Sequence, residues 1–143
     1  MGLLRASETA RTIFEIDYDQ LHAAGKRVLL FDLDNTLGRH GTVHLPEAIV
    51  DFLSSLAQRG FAVGVLTNRK RNSEVPAVHA LRKRFPVIHA AGKPARRGFL
   101  KLLSLLGGSP ETAVMIGDRR LTDILGANRL GIYSIRVRSR GGA

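Results

Sequence analysis

The sequence predicts an open α/β fold, a single domain whose central parallel sheet of five strands carries helices on both faces. Three observations predict it. Short apolar runs alternate with longer amphipathic stretches along the chain, the pattern of repeated strand–helix–strand units. The first four of these apolar runs pass straight into a polar or glycine-bearing turn, as strands do where they end at a ligand-binding edge. The length of 143 residues suits one domain of ordinary size.

The strands are expected at Val28–Asp32, Ala62–Thr67, Val87–Ala90, Ala113–Gly117 and Ile132–Val137. Between the first two, Pro46 suits the first residue of a helix that places Ile49, Phe52, Leu53 and Leu56 on one face, and Gly60 stops it. A second helix is expected from near Asn72 to Arg84, although Pro76 argues for a later start. Pro94 opens a third, with Phe99, Leu102, Leu103 and Leu106 inward and Gly107-Gly108 ending it. A short fourth runs from Thr122 to Leu130 and closes at Gly131. Ahead of the first strand, Leu3, Ala6, Ala10, Ile13 and Phe14 recur at helical spacing. Residues 1–26 are therefore read as a helical segment packed on or near the core, with a membrane-surface helix as the other reading.

Composition narrows the function. Apolar residues make up 44% of the chain and charged residues 24%, which excludes a low-complexity or disordered protein. Without cysteine there are no disulfides, zinc knuckles, iron–sulfur clusters or thiolate nucleophiles. Apolar runs such as Val28-Leu29-Leu30-Phe31 fall far short of the roughly 18 residues of a membrane span. The first residues lack the apolar core of a secretory signal, so a cytoplasmic location is expected. The net charge of +10, with seventeen arginines and five lysines, suggests an anionic partner such as nucleic acid, a phospholipid surface or a phosphorylated substrate.

The informative segment is Phe31-Asp32-Leu33-Asp34-Asn35-Thr36-Leu37. An apolar strand ends in two aspartates, which are costly there unless a cation or proton compensates them. In an extended chain both project to the same side. One is then a candidate nucleophile or ligand and the other a candidate acid/base. A second acidic pair, Asp118 and Asp123, follows the fourth strand in Gly117-Asp118-Arg119-Arg120-Leu121-Thr122-Asp123. Four carboxylates at one sheet edge make an oxygen-ligand site suited to Mg²⁺. Between the pairs come Thr67-Asn68 and Gly92-Lys93-Pro94, a hydroxyl, backbone amides and a cation that suit phosphate oxygens. An Asp-X-Asp alone is a weak signal, and Asp123 by itself reads equally as a helix cap. All four elements in order, each at a strand end, are a strong one.

Asp32-Leu33-Asp34-Asn35-Thr36, Thr67-Asn68, Lys93 and Gly117-Asp118 through Asp123 resemble the four motifs of the haloacid dehalogenase superfamily of phosphohydrolases. The likeness spans residues 28 to 123. Glu15-Ile16-Asp17-Tyr18, Lys93-Pro94-Ala95-Arg96-Arg97-Gly98-Phe99 and Leu125-Gly126-Ala127-Asn128-Arg129-Leu130-Gly131-Ile132-Tyr133 narrow it to subclass IIIA and its YqeG-like branch. That branch resembles the phosphatidylglycerophosphate phosphatases of cardiolipin synthesis. The resemblance implies a Rossmann-like domain and a two-step displacement. Asp32 would attack phosphorus, and Asp34 would protonate the leaving alcohol and then activate water. Mg²⁺ would be held by Asp32, the Asp34 carbonyl and Asp118, with Asp123 close by or acting through water. Thr67 and the backbone at Asn68 would grip the phosphoryl oxygens, and Lys93 would balance the charge. Thr36 is read as a turn-former.

Two departures from the branch stand out. Arg69 follows Thr67-Asn68 where a small or polar residue is expected, and Gly38-Arg39-His40 follows Leu37. Both could change what docks at the mouth. Cap domains in such folds are inserted after the first motif or between the second and third. Here Gly38 to Leu45 and Arg69 to Pro86 leave no room for a folded lid. An open site suits large or membrane-embedded phosphates. Arg69-Lys70-Arg71, Arg96-Arg97 and Arg119-Arg120 all fall near the edge that carries the chemistry, which suggests a basic rim that docks on a polyanionic surface. Arg82-Lys83-Arg84 and the run Arg136, Arg138, Arg140 are weaker candidates. Of the histidines, His40 and His44 are placed to touch substrate, whereas His22, His79 and His89 are read as structural or surface residues.

The leading expectation is therefore a Mg²⁺-dependent phosphomonoesterase acting on phosphatidylglycerophosphate at the inner face of a membrane. A nucleic-acid end phosphatase is the second reading, since a basic rim serves nucleic acid too. Six Phe and two Tyr leave little for base stacking. A non-catalytic module binding anionic lipid or RNA is the third, and the paired Asp32 and Asp34 weigh against it. Oligomeric state is not legible.

Overall fold

The computed structural model describes residues 2–39, 41–70 and 75–138. Six strands form one parallel sheet: β1 (Glu8–Ala10), β2 (Val28–Phe31), β3 (Ala62–Leu66), β4 (Val87–Ile88), β5 (Ala113–Gly117) and β6 (Tyr133–Val137), in the order β1-β6-β5-β2-β3-β4. Five α-helices connect them: α1 (Tyr18–Ala23), α2 (Glu47–Gln58), α3 (Pro76–Arg82), α4 (Arg96–Leu106) and α5 (Leu125–Arg129). A π turn over Arg120–Ile124 leads into α5.

Side chains alternate across the pleat, so each central strand feeds two cores. Leu29, Phe31, Val63, Val65, Val114 and Ile116 pack with Leu21, Leu53, Leu56, Val78 and Leu81 of α1, α2 and α3. Val28, Leu30, Leu66 and Met115 pack on the other face with Phe99, Leu102 and Leu103 of α4 and Ala127 of α5. The sheet is thus covered on both faces, as the apolar runs imply.

The strand order positions the site. The chain leaves β2 for β3 and β4 on one side, then crosses back through α4 to β5 and β6 on the other. The reversal opens a crevice at the carboxyl ends of β2 and β5, where open α/β sheets bind ligands. Phe31 pairs with Val65 on one side and Ile116 on the other. Asp32, the next residue, still donates its amide to the Ile116 carbonyl at 3.0 Å.

The N-terminal segment differs from expectation. It is not one helix: Glu8–Ala10 form the added edge strand, Ile13–Glu15 a 3₁₀ turn and Tyr18–Ala23 the short α1. The strand escapes a reading by pattern because its register on β6 is fixed by polar contacts. The Ser7 amide donates to the Ser134 hydroxyl (3.0 Å), the Ser134 amide donates back to Ser7 Oγ (3.1 Å), and the Tyr133 hydroxyl donates to Glu8 (2.6 Å). Leu3 and Phe14 of the supposed apolar stripe are exposed.

Elsewhere the differences are local. Pro46 and Ala95 cap α2 and α4, so α4 begins two residues after Pro94. Pro76 opens α3, as suits a residue that lacks an amide proton, while Asn72 lies outside the described residues. The fourth strand stops at Ile88 because Ala90 has φ 43° and turns its amide to the Arg69 carbonyl. Among the described residues, neither the connection from β2 to α2 nor that from β3 to α3 contains a helix or named strand. Among the described residues no helix is long and apolar enough to cross a membrane.

Candidate active site

Lys93 anchors the site. Its Nζ donates to Asp32 Oδ1 (2.7 Å), Asp123 Oδ1 (2.7 Å) and the Leu66 carbonyl (2.8 Å), which uses all three ammonium protons. All three charged residues are buried. Two carboxylates thus share one ammonium in a dry setting. Burial, and after it the Asp123 charge, push the Asp32 carboxyl up to about 7 against the pull of Lys93. Burial works against the Lys93 ammonium, but the carboxylates of Asp123 and Asp32 hold its pKa above the ordinary lysine value, so it stays charged.

Asp123 is placed by the π turn that precedes α5. Its Oδ2 accepts the amides of Asp118 and Arg119, each at 3.1 Å, while Oδ1 takes Lys93. A Cβ on Gly117 would overlap the Asp123 carboxylate, so only glycine lets the two elements approach this closely. With both oxygens committed to protein donors, Asp123 holds Lys93 and the end of β5 in place. Asp123 thus stands behind Lys93, beside the carboxylates of Asp32 and Asp118, where the expectation had it close by or acting through water. The sequence shows four carboxylates at one edge but not that a lysine stands between two of them.

Asp34 sits two residues beyond Asp32, in a turn made tight by the αL conformation of Asn35 (φ 61°) and by Leu33 O, which accepts the amides of Thr36, Leu37 and Gly38. Arg69 grips it in a fork, with Nη2 to Oδ1 at 2.7 Å and Nε to Oδ2 at 3.1 Å. The Gly41 amide donates to Oδ1 at 2.8 Å. Arg69 was grouped with the outward-facing rim, yet its side chain is only 12% exposed and turns into the cleft. Its position as a departure is legible in the sequence; its partner is not.

The expected phosphate-binding residues lie at the same edge. Thr67 is buried, and its hydroxyl accepts the Arg69 amide (3.1 Å). Asn68 accepts the Lys93 amide (2.9 Å) and donates to the Lys93 carbonyl (3.2 Å), which ties the turn after β3 to the turn that carries the lysine. Asp118 is half-buried at the end of β5, and its carbonyl accepts Arg136 Nε at 3.0 Å. Asp32, Asp34, Asn68, Arg69, Lys93, Arg119 and Thr122 line an open cleft of about 220 Å³. His44 is exposed, and His40 and Arg71 lie outside the described residues.

No ready-made cluster of three or more His, Asp or Glu side chains suited to a metal occurs among the described residues. The donor chemistry still fits a small hard cation, since Mg²⁺ takes one or two carboxylates and completes its shell with waters and substrate phosphate. Asp32 and Asp118 stand at the ends of the adjoining strands β2 and β5, where their carboxylates would be available to such an ion.

A six-stranded parallel sheet covered on both faces, with its acidic residues at the switch point, defines an open α/β domain of the doubly wound kind. Residues 4–131 match the family model of haloacid dehalogenase-like hydrolases, and the chain belongs to that family. It is 28% identical over 130 residues to a protein of Bacillus subtilis named as the probable phosphatase YqeG, covering 91% of this chain and 74% of that one. It is 30% identical over 136 residues to the chloroplastic phosphatidylglycerophosphate phosphatase 1 of Chlamydomonas reinhardtii, covering 90% of this chain but only 50% of the algal protein. Among solved structures, the 2-haloacid dehalogenase of Pseudomonas syringae shares the fold, with a TM-score of 0.58 at 17% identity over 78% of this chain and 86% of that one.

Proposed function

We propose that the protein is a Mg²⁺-dependent phosphatase of large phosphomonoesters, with phosphatidylglycerophosphate at an anionic membrane surface as its substrate. The observation that carries this reading is the buried Lys93 bridging Asp32 and Asp123 beneath an open cleft, with Asp34 two residues beyond Asp32. The similarity to the algal phosphatidylglycerophosphate phosphatase supports the substrate.

In the first step an Asp32 oxygen forms a bond to phosphorus as the bond to the leaving oxygen breaks, and Asp34 gives its proton to the departing alkoxide. In the second, Asp34 takes a proton from water, the water oxygen bonds to phosphorus and the Asp32–phosphorus bond breaks, releasing phosphate. Thr67 and the backbone at Asn68 bind the phosphoryl oxygens. Lys93 keeps its charge against Asp32 and the phosphoryl group throughout, so the site needs little rearrangement as charge moves. The cation, held by Asp32, the Asp34 carbonyl and Asp118, would supply charge neutralisation at the phosphoryl oxygens.

The test is Mg²⁺-dependent phosphate release from phosphatidylglycerophosphate in mixed vesicles, beside 3′- and 5′-phosphorylated oligonucleotides and sugar phosphates. Release confined to the lipid and lost in D32N is expected. Release from oligonucleotides alone would keep the chemistry and replace the substrate with nucleic-acid ends. Binding without turnover on any of them would point to a non-catalytic module.

A further inference from the structure

The fork of Arg69 on Asp34 lines the same cleft as Asp32 and Lys93. Both oxygens of the carboxylate are engaged by one guanidinium, at 2.7 and 3.1 Å. The pair lies largely out of solvent, with side chains 12% and 19% exposed. A carboxyl that exchanges a proton with the leaving oxygen must present an edge to it, and the guanidinium covers that edge. Arg69 has little freedom to withdraw as a whole, because its amide donates to Thr67 Oγ1 (3.1 Å) and its carbonyl accepts the Ala90 amide (2.6 Å). The exchange therefore runs through the side chain alone. An arginine that gives up a sheltered carboxylate needs another anion, since an unpaired charge there is costly. A phosphate diester offers the same two-oxygen fork as the carboxylate. Arg119, from the end of β5 across β2, lines the same cleft and adds a second cation to it.

We infer that Arg69 is a specificity-determining residue that selects substrates carrying a second anionic group, a phosphodiester on the leaving alcohol, by transferring its guanidinium from Asp34 to that group. The inference rests on the assignment of Asp32 as nucleophile and Asp34 as acid/base. Binding of the diester then frees the Asp34 carboxylate to take up from solvent the proton that it gives to the leaving oxygen, so the second anion promotes turnover as well as affinity. A phosphomonoester with a neutral alcohol leaves the fork closed.

The experiment compares two soluble substrates with the same leaving position: glycerol 3-phosphate, and its analogue with a methyl phosphodiester on the other primary hydroxyl. Wild type, R69K and R69Q are assayed for kcat and KM, with circular dichroism to verify folding. Wild type is expected to favour the diester analogue in kcat as well as KM. R69Q is expected to reduce that preference by on the order of 10- to 100-fold, the worth of hydrogen bonds to a charged group, and R69K to fall between. A preference kept within about threefold in R69Q, or equal losses on both substrates, would overturn the inference while leaving the catalytic assignment standing. Lack of turnover of either substrate by folded wild type would overturn both. Should R69Q lose all turnover, calorimetry in the D32N background decides. Weaker binding of the diester analogue alone on adding R69Q supports the exchange, and equal binding refutes it.

Discussion

At the scale of single residues, the site is an electrostatic compromise. Lys93 satisfies two buried carboxylates, and Asp123 has two backbone amides besides, so the charge that is hardest to keep is that on Asp32. Its folded-state pKa of about 7 lies above the ordinary carboxyl value of 3.8. Over that interval the folded chain holds a proton the unfolded chain has released. The contribution of Asp32 to stability is therefore present in full below about pH 4 and is lost as pH rises through about 7. Denaturation of metal-free wild type and D32N across pH 4–8 should show the variant gaining on wild type as pH rises to about 7. The gain should not exceed about 1.4 kcal/mol per pH unit for the single group. A constant difference would show that Asp32 ionises like an exposed carboxylate. Added Mg²⁺ should flatten the dependence if the cation sits against Asp32. Removing the other partner has a larger effect: K93M leaves two carboxylates facing each other in the core and should cost about 3–5 kcal/mol, read from the same denaturation curves at neutral pH.

At the scale of elements, the contact that fixes Asp123 is a glycine against a π turn. In G117A the new methyl group meets a carboxylate held by Lys93 and two amides, so the side chain must leave its partners or the turn must shift. The expected loss is about 2–4 kcal/mol, at and beyond the upper end of the usual range for a single substitution, with activity lost in the fraction that still folds. G107A serves as the comparison. Gly107 caps α4 with φ +68° and nothing lies within 4 Å of its added Cβ, so only the αL strain of about 1–2 kcal/mol should appear. A loss in G117A no larger than that in G107A would show that the Asp123 carboxylate moves aside without cost and that the close approach at Gly117 is not needed. These contacts also mark where reading the sequence stops. The central strands are legible because β2, β3 and β5 are buried on both faces and read as unbroken apolar runs. Asp32, Asp34 and Asp118 are legible because they follow β2 and β5 at the edge where the topology turns back, and Lys93 because it stands between a glycine and a proline soon after β4. The edge strand β1 is not, because Ser7, Ser134, Glu8 and Tyr133 fix it through polar pairing across a separation of more than a hundred residues. The direction of Arg69 is hidden for a similar reason. Charge and position are properties of the chain, whereas the choice between solvent and Asp34 is made by the folded cleft.

At the scale of the whole molecule, charge and shape bear on how the open cleft meets its substrate. The chain carries +10, and Arg96, Arg97, Arg119 and Arg120 are exposed around the carboxyl edge of the sheet, while Arg69 turns inward. Leu121, next in the chain after Arg119 and Arg120, is 66% exposed, so the rim presents an apolar residue beside cations. On an anionic bilayer each such arginine contributes about 1 kcal/mol near the surface, and R96Q/R97Q should lower vesicle partitioning roughly 30-fold by that measure. The same pair should reduce release from vesicle-embedded phosphatidylglycerophosphate more than release from the soluble methyl-diester analogue, because only the former requires the surface. Ionic strength gives an independent check. The screening length falls from about 10 Å at 0.1 M salt to about 3 Å at 1 M, so partitioning by an exposed rim should collapse over that range. The buried Lys93 contacts should persist, and with them the folded state. Sedimentation with phosphatidylglycerol vesicles against neutral ones, read across salt for wild type and the double variant, distinguishes the cases. Binding that is insensitive to salt and to both arginines would mean that the rim does not dock the enzyme and that Leu121 or the N-terminal leucines carry the contact instead.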